Sequence, residues 1–331
     1  MSIGKTYDLK IGYTCNNNCI HCVVKPDYQD WIDAGIPIDV PYGELISIVN
    51  SQEFADANHV VITGGEPTVR KEFLRLLLYI QNKYPSKRIS LQTNGRNLRK
   101  YVKDIYENNI NIFYVIALHG CSDIHNKVIQ VNGADAFSQT MESIEEIKSV
   151  YGSFNTVGRI EIVLSKVNYR EIPSFVEYLY KLNIRNVGIS YPHLDGYAVR
   201  DINFVKEIGF SYGCLKEILP DFYELCMKHD DLYLQFEQVP ACMWRNREGA
   251  LYKLPRNIQS MDHIPQQQTT VKFPNRNIDT DFFLTYKNMH NKTKACSTCL
   301  DCNCMGVWWE AVSAFGEEGF IPISKNELEV D

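Results

Sequence analysis

The sequence has no apolar run approaching the ~20 residues that a membrane span needs. Its most continuous candidates, Ile112–Leu118 and Leu76–Ile80, are core-sized. No apolar h-region follows Met1, so nothing marks a signal peptide. Charge of one sign is also scarce. The formal net charge of −6 over 331 residues gives no electrostatic argument for a nucleic-acid or membrane partner. Tandem repeats of solenoid type are absent. A cytoplasmic protein is therefore expected. Thiols there stay reduced, so eleven clustered cysteines favour metal over disulfides.

The first two thirds alternate strand and helix signals. Strands are expected at Tyr7–Tyr13, His59–Thr63, Arg88–Gln92, Asn111–Leu118, Val157–Leu164 and Asn186–Tyr191. Helices are expected at Tyr42–Asn50, Glu72–Lys83, Leu98–Glu107, Ala136–Val150 and Ile172–Leu182. Such alternation predicts an α/β fold with parallel strands and right-handed crossovers. Apolar runs such as Val60-Val61-Ile62 suggest strands buried on both faces. An open or partial barrel and a doubly wound sheet both fit this pattern. Beyond Tyr191 a helix is expected at Cys214–Lys228 and a strand at Leu232–Val239. Arg245 to Asn291 is poor in signal, as functional loops are.

Cys15-Asn16-Asn17-Asn18-Cys19-Ile20-His21-Cys22 follows the first strand directly. The C-x3-C-x2-C spacing suits an iron–sulfur cluster, since three thiolates serve three irons and leave a fourth open. The asparagines suit a tight wrap, because Asn tolerates left-handed geometry. A zinc knuckle using His21 is the competing reading. It is awkward, because His21 adjoins Cys22. Gly64-Gly65-Glu66-Pro67 ends the second strand and Thr93-Asn94-Gly95 ends the third.

These three motifs, in order at successive strand ends, resemble the radical S-adenosylmethionine superfamily. The resemblance implies a partial (β/α)6 TIM-like barrel over residues 1–212 and a C-terminal region over 213–331. It implies that Cys15, Cys19 and Cys22 hold a [4Fe–4S] cluster and that S-adenosylmethionine is the cofactor. The cluster passes an electron to the cofactor, and the resulting 5′-deoxyadenosyl radical takes hydrogen from substrate. Gly64 and Gly65 would let the cofactor's methionine part approach the backbone. Backbone carbonyls and Glu66 would meet its ammonium, and Pro67 would open the following helical turn. Thr93 would contact cofactor or substrate, and His21 would lie against adenine. Arg159 would meet a carboxylate or be a solvated strand-edge residue. Tyr191 would be an adenine-side contact or a core residue. Ala117 departs from the pattern: many relatives carry Ser there, and His119 or water would have to substitute. Cys121 is a candidate hydrogen-atom donor or a tolerated loop cysteine.

The tail carries Cys296, Cys299, Cys302 and Cys304 within nine residues. It resembles the auxiliary-cluster extensions called twitch or SPASM domains. Cys296, Cys299 and Cys304 match the pattern, with Gly306 in its place. Cys242 or Cys302 would complete one auxiliary [4Fe–4S] cluster, and a zinc ribbon is the alternative. Cys214 and Cys226 sit at apolar helix positions and are expected in the core. The expected substrate is a ribosomally made peptide, although the first strand begins too near Met1 for a leader-binding module ahead of it. A small molecule of cofactor or natural-product biosynthesis is the second reading. An ending of Leu328-Glu329-Val330-Asp331, without Gly-Gly, disfavours molybdopterin-precursor cyclisation. A non-catalytic zinc-binding interaction protein is the third reading. An external donor such as flavodoxin or ferredoxin would supply electrons.

Overall fold

A computed structural model describes residues 5–131, 133, 135–194, 201–261, 269–272, 280–281, 290–301 and 304–328. The elements run β1 (Thr6–Lys10), α1 (Lys25–Asp33), α2 (Tyr42–Val49), α3 (Gln52–Asp56), β2 (His59–Thr63), α4 (Phe73–Lys83), β3 (Arg88–Thr93), α5 (Val102–Glu107), β4 (Ile112–Ala117), α6 (Ser122–Ile129) and α7 (Ala136–Tyr151). They continue as β5 (Gly158–Val163), α8 (Ile172–Lys181), β6 (Asn186–Ser190), α9 (Ile202–Ile208), α10 (Leu215–Lys228), β7 (Tyr233–Glu237) and β8 (Ile258–Met261). All six expected strands of the alternating region are present. The first is shorter than expected: it ends at Lys10, and Gly12 makes only an isolated bridge to Asp39. The stretch after Arg245 was underestimated. It contains β8 and short strands at Thr269–Lys272, Thr280–Asp281 and His290–Asn291. Thr269–Lys272 pairs with the distant β1, and the other three are two to four residues long, so local pattern does not announce them.

Two compact units emerge. One comprises Met1–Leu118, His125–Ile160 and Pro265–Thr285, and the other comprises His119–Ile124, Glu161–Ile264 and Tyr286–Asp331. This division differs from a single cut at residue 212. Thr269–Lys272 pairs in parallel with β1, which draws a late segment into the first unit.

In the first unit β1, β2, β3 and β4 pair in parallel, in that order. β2 and β3 alternate in burial, whereas Tyr114, Val115 and Ile116 of β4 are all buried, so that strand is covered on both faces as its apolar run suggests. Tyr7, Leu9, Val60, Ile62, Ile89, Leu91, Tyr114 and Ile116 are at most 1% exposed. Phe54 of α3 and Phe73, Leu76, Leu77 and Ile80 of α4 are equally buried. Each such side chain contributes roughly 1.5–3 kcal/mol on burial. The opposite face is mostly half-buried and largely polar, with Asp8, Lys10, His59, Thr63 and Ser90 on it. Polarity there is stabilised by pairing: His59 bonds Ser90 at 2.8 Å, and Thr63 donates to Gln92 at 2.7 Å. In the second unit β6, β7 and β8 pair in parallel. Among the described residues, no helix is long and apolar enough to cross a membrane.

Candidate functional site

The chain leaving β1 is pinned before it reaches Cys15. Ile11 N donates to Thr63 O at 3.0 Å, and Tyr13 N to Ile38 O at 2.9 Å. The buried Arg70 guanidinium donates to the Ile11 carbonyl at 2.6 Å and the Val40 carbonyl at 2.8 Å. Thr14 donates its hydroxyl to Asp39 at 2.8 Å and its N–H to the same carboxylate at 3.1 Å.

The cysteine loop is then held from two sides. Asn18 N and Ile20 N donate to the carbonyls of Ile129 and Val128, each at 2.9 Å. From the turn after β3, the Asn94 side-chain amide donates to Asn16 Oδ1 at 2.7 Å. Arg96 donates to the Asn16 carbonyl and, at 2.8 Å, to Asn17 Oδ1. The asparagines therefore do not serve as left-handed turn residues. None of Asn16, Asn17 or Asn18 has a positive φ. Asn16 and Asn17 instead offer side-chain oxygens that donors from elsewhere in the chain can reach. Arg96 was missed in the sequence, because nothing local marks an arginine after Thr-Asn-Gly as a loop tether.

Cys22 acts electrostatically on Cys15, and both act on Cys19. Cys15 is exposed at the surface of the loop and Cys19 half-buried; desolvation pushes the Cys15 thiol up to about 11, with Glu66 and Cys22 adding, and the Cys19 thiol up to about 12, with Cys22 and Cys15 adding. Burial likewise raises Cys22, opposed by the N–H groups of Val24 and Lys25 and by the Lys25 charge. Cys15 Sγ accepts Asn17 N at 3.3 Å. Backbone donors and a nearby ammonium are what a thiolate ligand set requires. Among the described residues no three Cys, His, Asp or Glu side chains gather tightly enough around one ion.

Gly64 and Gly65 have a task beyond any ligand. A Cβ on Gly64 would stand 2.2 Å from the Gly12 carbonyl oxygen, and one on Gly65 would stand 2.4 Å from those of Tyr13 and Thr14. Gly64 also has φ +132°. Gly65 N and Glu66 N donate to Gly12 O at 2.8 Å and Thr14 O at 2.9 Å. The pair thus lets this segment lie directly on the chain leading to Cys15. Among the described residues, no backbone hydrogen bond is made to the carbonyls of Gly64 and Gly65. Those acceptors suit an ammonium group.

Glu66 is 2% exposed and faces inward. Its Oε1 accepts Thr68 N at 3.0 Å, the Thr68 hydroxyl at 2.5 Å and the Thr93 hydroxyl at 2.7 Å. Its Oε2 accepts Asn94 N at 2.6 Å. Burial raises its pKa, and these donors pull it back. Glu66 thus caps the 3-10 turn Pro67–Val69, which Pro67 opens, and fixes the turn after β3. Thr93 is equally engaged, accepting Gly95 N at 3.0 Å.

The other expected residues divide. His21 is half-buried within the cysteine loop, and Arg159 is half-buried on β5. Tyr191 is a core residue: it is fully buried, donates to the Phe210 carbonyl at 2.5 Å and stacks on Tyr212 at 4.2 Å. No part of that ring is exposed to take adenine. His119 cannot replace a hydroxyl at Ala117, because it is 2% exposed and its Nδ1 accepts Val163 N at 3.2 Å. Cys121 is exposed just before α6. Cys226 is buried as expected, whereas Cys214 is only half-buried.

In the second unit Cys242, Cys296, Cys299 and Cys304 line one small cavity. Burial and the other three thiols push Cys242 up to about 12. Polar groups already address three sulfurs, two of them with backbone N–H donors. Ile323 N donates to Cys299 Sγ at 3.4 Å, Gly306 N donates to Cys304 Sγ at 3.3 Å, and Thr293 Oγ1 lies 3.4 Å from Cys296 Sγ. Gly306 has φ +98°, and a Cβ there would meet the Asn291 carbonyl at 2.3 Å. Cys302 lies outside the described residues.

A family model described as the radical SAM superfamily matches residues 9–196. The GTP 3′,8-cyclase of Vibrio vulnificus (strain YJ016) is 26% identical over 179 residues, covering 53% of this chain and 51% of that protein. The GTP 3′,8-cyclase of Vibrio cholerae serotype O1 (strain M66-2) is 28% identical over 181 residues, with the same coverage. The chain thus spans about half the length of the curated relatives it matches. Among solved structures, native anSMEcpe with bound AdoMet and Cp18Cys peptide aligns with a TM-score of 0.60 and 16% identity, over 96% of this chain and 92% of that one. Streptococcus suis SuiB bound to precursor peptide SuiA aligns with a TM-score of 0.59 and 13% identity, over 98% and 76%. These two likenesses are of fold.

Proposed function

The chain belongs to the radical SAM superfamily, and we propose that it reductively cleaves S-adenosylmethionine to modify a ribosomally made peptide. The observation that carries the cleavage is the loop carrying Cys15, Cys19 and Cys22 directly after β1, gripped from the turn after β3. Bound there, a [4Fe–4S] cluster supplies the electron that splits the cofactor into methionine and a 5′-deoxyadenosyl radical. Cys15, Cys19 and Cys22 hold that cluster. The carbonyls of Gly64 and Gly65 receive the cofactor's ammonium. Glu66 and Thr93 act one step back, fixing the turn that carries Asn94. His21, Arg159 and Cys121 are left as candidates for the adenine, a carboxylate and a thiol function.

The second thiol set supports an auxiliary [4Fe–4S] cluster on Cys242, Cys296, Cys299 and Cys304, in a twitch- or SPASM-like region. A thiol cavity with sulfur-directed donors already in place favours this ligand set. Cys302 is then spare. A partial barrel at the first site and an external flavodoxin or ferredoxin complete the reading.

The peptide assignment draws on peptide-bound proteins of similar fold. A small-molecule substrate is the second reading, favoured by sequence relatives named GTP 3′,8-cyclase. Anaerobic reconstitution tests the class: about eight irons are expected, about four for each thiol-ligated cluster. Replacing Cys15, Cys19 and Cys22 with Ala removes about four of them and all 5′-deoxyadenosine formation. Retained cleavage in that variant rejects the proposal. Consumption of added GTP by the intact protein would move the assignment to the small-molecule reading.

A further inference from the structure

We propose that Arg96 is the positioning residue of the cysteine loop: it holds Asn16 and Asn17 and sets a fixed positive charge against that segment of the loop, so that both cluster retention and reduction potential depend on it. The proposal rests on the reading of Cys15, Cys19 and Cys22 as cluster ligands.

The Arg96 side chain is oriented at both ends. Its backbone N–H donates to Asn94 Oδ1 at 3.1 Å, which fixes where the side chain leaves the turn. Its Nε donates to Gln139 Oε1 of α7 at 2.7 Å. The remaining fork points at the loop. Nη1 donates both to the Asn16 carbonyl and to Asn17 Oδ1. Asn16 follows Cys15 directly, so the guanidinium grips the residue next to a ligand.

All of these partners are neutral amides or carbonyls. Among the described residues, no carboxylate is paired with Arg96. Its charge is therefore not cancelled locally. It reaches His125, whose pKa burial first and Arg96 second push down to about 4. An arginine cannot shed this charge by deprotonation. A thiolate-ligated cluster becomes more negative on reduction, so a fixed cation in a partly buried place favours the reduced form. One side chain would thus do two separable things. The planar fork holds the loop, and the charge adjusts the electron affinity.

The two contributions part in two variants of the full chain. Arg96→Gln removes both charge and fork. Arg96→Lys keeps the charge but loses the planar fork that spans Asn16 and Asn17. Each is reconstituted with iron and sulfide and titrated anaerobically, following the EPR signal that S-adenosylmethionine perturbs. Arg96→Gln is expected to be about tenfold harder to reduce, which is about 59 mV for one electron. Its iron is expected to pass to a chelator several-fold faster. Arg96→Lys is expected to keep the wild-type potential while losing iron at the faster rate. A wild-type potential and a wild-type rate of iron loss in Arg96→Gln overturn the proposal. If Arg96→Gln does not fold, wild-type iron retention in Arg96→Lys overturns the part played by the fork, and a lowered potential in it overturns the part played by the charge. Iron uptake by the unchanged chain tests the cluster reading independently of Arg96.

Discussion

The Thr93 hydroxyl donates to the Glu66 carboxylate at 2.7 Å, and both residues are buried. This bond joins the turns after β2 and β3, the two that flank the cysteine loop. The carboxylate accepts four hydrogen bonds from protein donors, and these tie the two turns together.

Removing that carboxylate should therefore show first in stability. Glu66→Ala leaves the donors of Thr68, Thr93 and Asn94 buried without an acceptor. A loss of about 3–5 kcal/mol is expected by urea denaturation of the apo chain. Glu66→Gln keeps one acceptor but sets an amide N–H₂ against one of those donors, and should cost about 1–3 kcal/mol. A neutral Glu66→Ala would show that the carboxylate is not a frame element.

Gly65→Ala should disturb the cysteine loop from outside it. The added methyl would press on backbone carbonyls of Tyr13 and Thr14, which cannot turn aside as a side chain can. The expected cost is about 1–3 kcal/mol, with reduced iron uptake at Cys15–Cys22. Gly43→Ala is a control, since open space surrounds a Cβ there. Equal iron content in both variants would contradict the close approach.

Tyr191→Phe separates a core residue from a cofactor contact. It deletes the hydrogen bond to the Phe210 carbonyl and keeps the ring. A loss of about 1–2 kcal/mol is expected, with S-adenosylmethionine affinity unchanged by calorimetry. A weakened affinity at wild-type stability would return Tyr191 to the cofactor site.

Asp8 should make the protein less stable at neutral pH. Its Oδ1 is buried with no hydrogen-bond partner among the described residues, and desolvation raises its pKa against the pull of Lys10. A carboxyl whose folded pKa lies above the unfolded value stabilises most when protonated. Stability is lost as pH rises from the unfolded value of 3.8 through the folded one. Asp8→Asn should remove that slope and add about 1–3 kcal/mol at neutral pH. An unchanged stability–pH profile would refute it.

Glu327 predicts the opposite slope. Arg245 first, and then Ser324, hold its carboxyl down at about 2. Arg245 also donates to the carbonyl of Cys242 at 3.1 Å, tying the C-terminal turn to a cavity cysteine. This contribution is complete above the ordinary value of 4.5 and fades as pH falls toward 2. Glu327→Gln should therefore flatten the acid limb of the stability curve between those values. An acid limb identical to the wild type's would remove Glu327 from the account.

Much of this protein is legible in its sequence, where the information is local. Apolar spacing located the six strands of the alternating region, because the periods of strand and helix are set within a few residues. The spacing of Cys15, Cys19 and Cys22 places three thiols together through chain connectivity alone. Contacts between distant segments decided the rest. Arg96 and Asn16 stand eighty positions apart. Gly65 meets Tyr13, and Cys242 joins the cysteines of the tail, only after strands and loops have taken their register. Local pattern also left Tyr191 open between core and cofactor, and marked Glu66 only as a partner for an ammonium. The burial of Tyr191 and the four hydrogen bonds accepted by Glu66 appear only in the folded chain, since these are properties of packed neighbours that a residue's own segment does not encode.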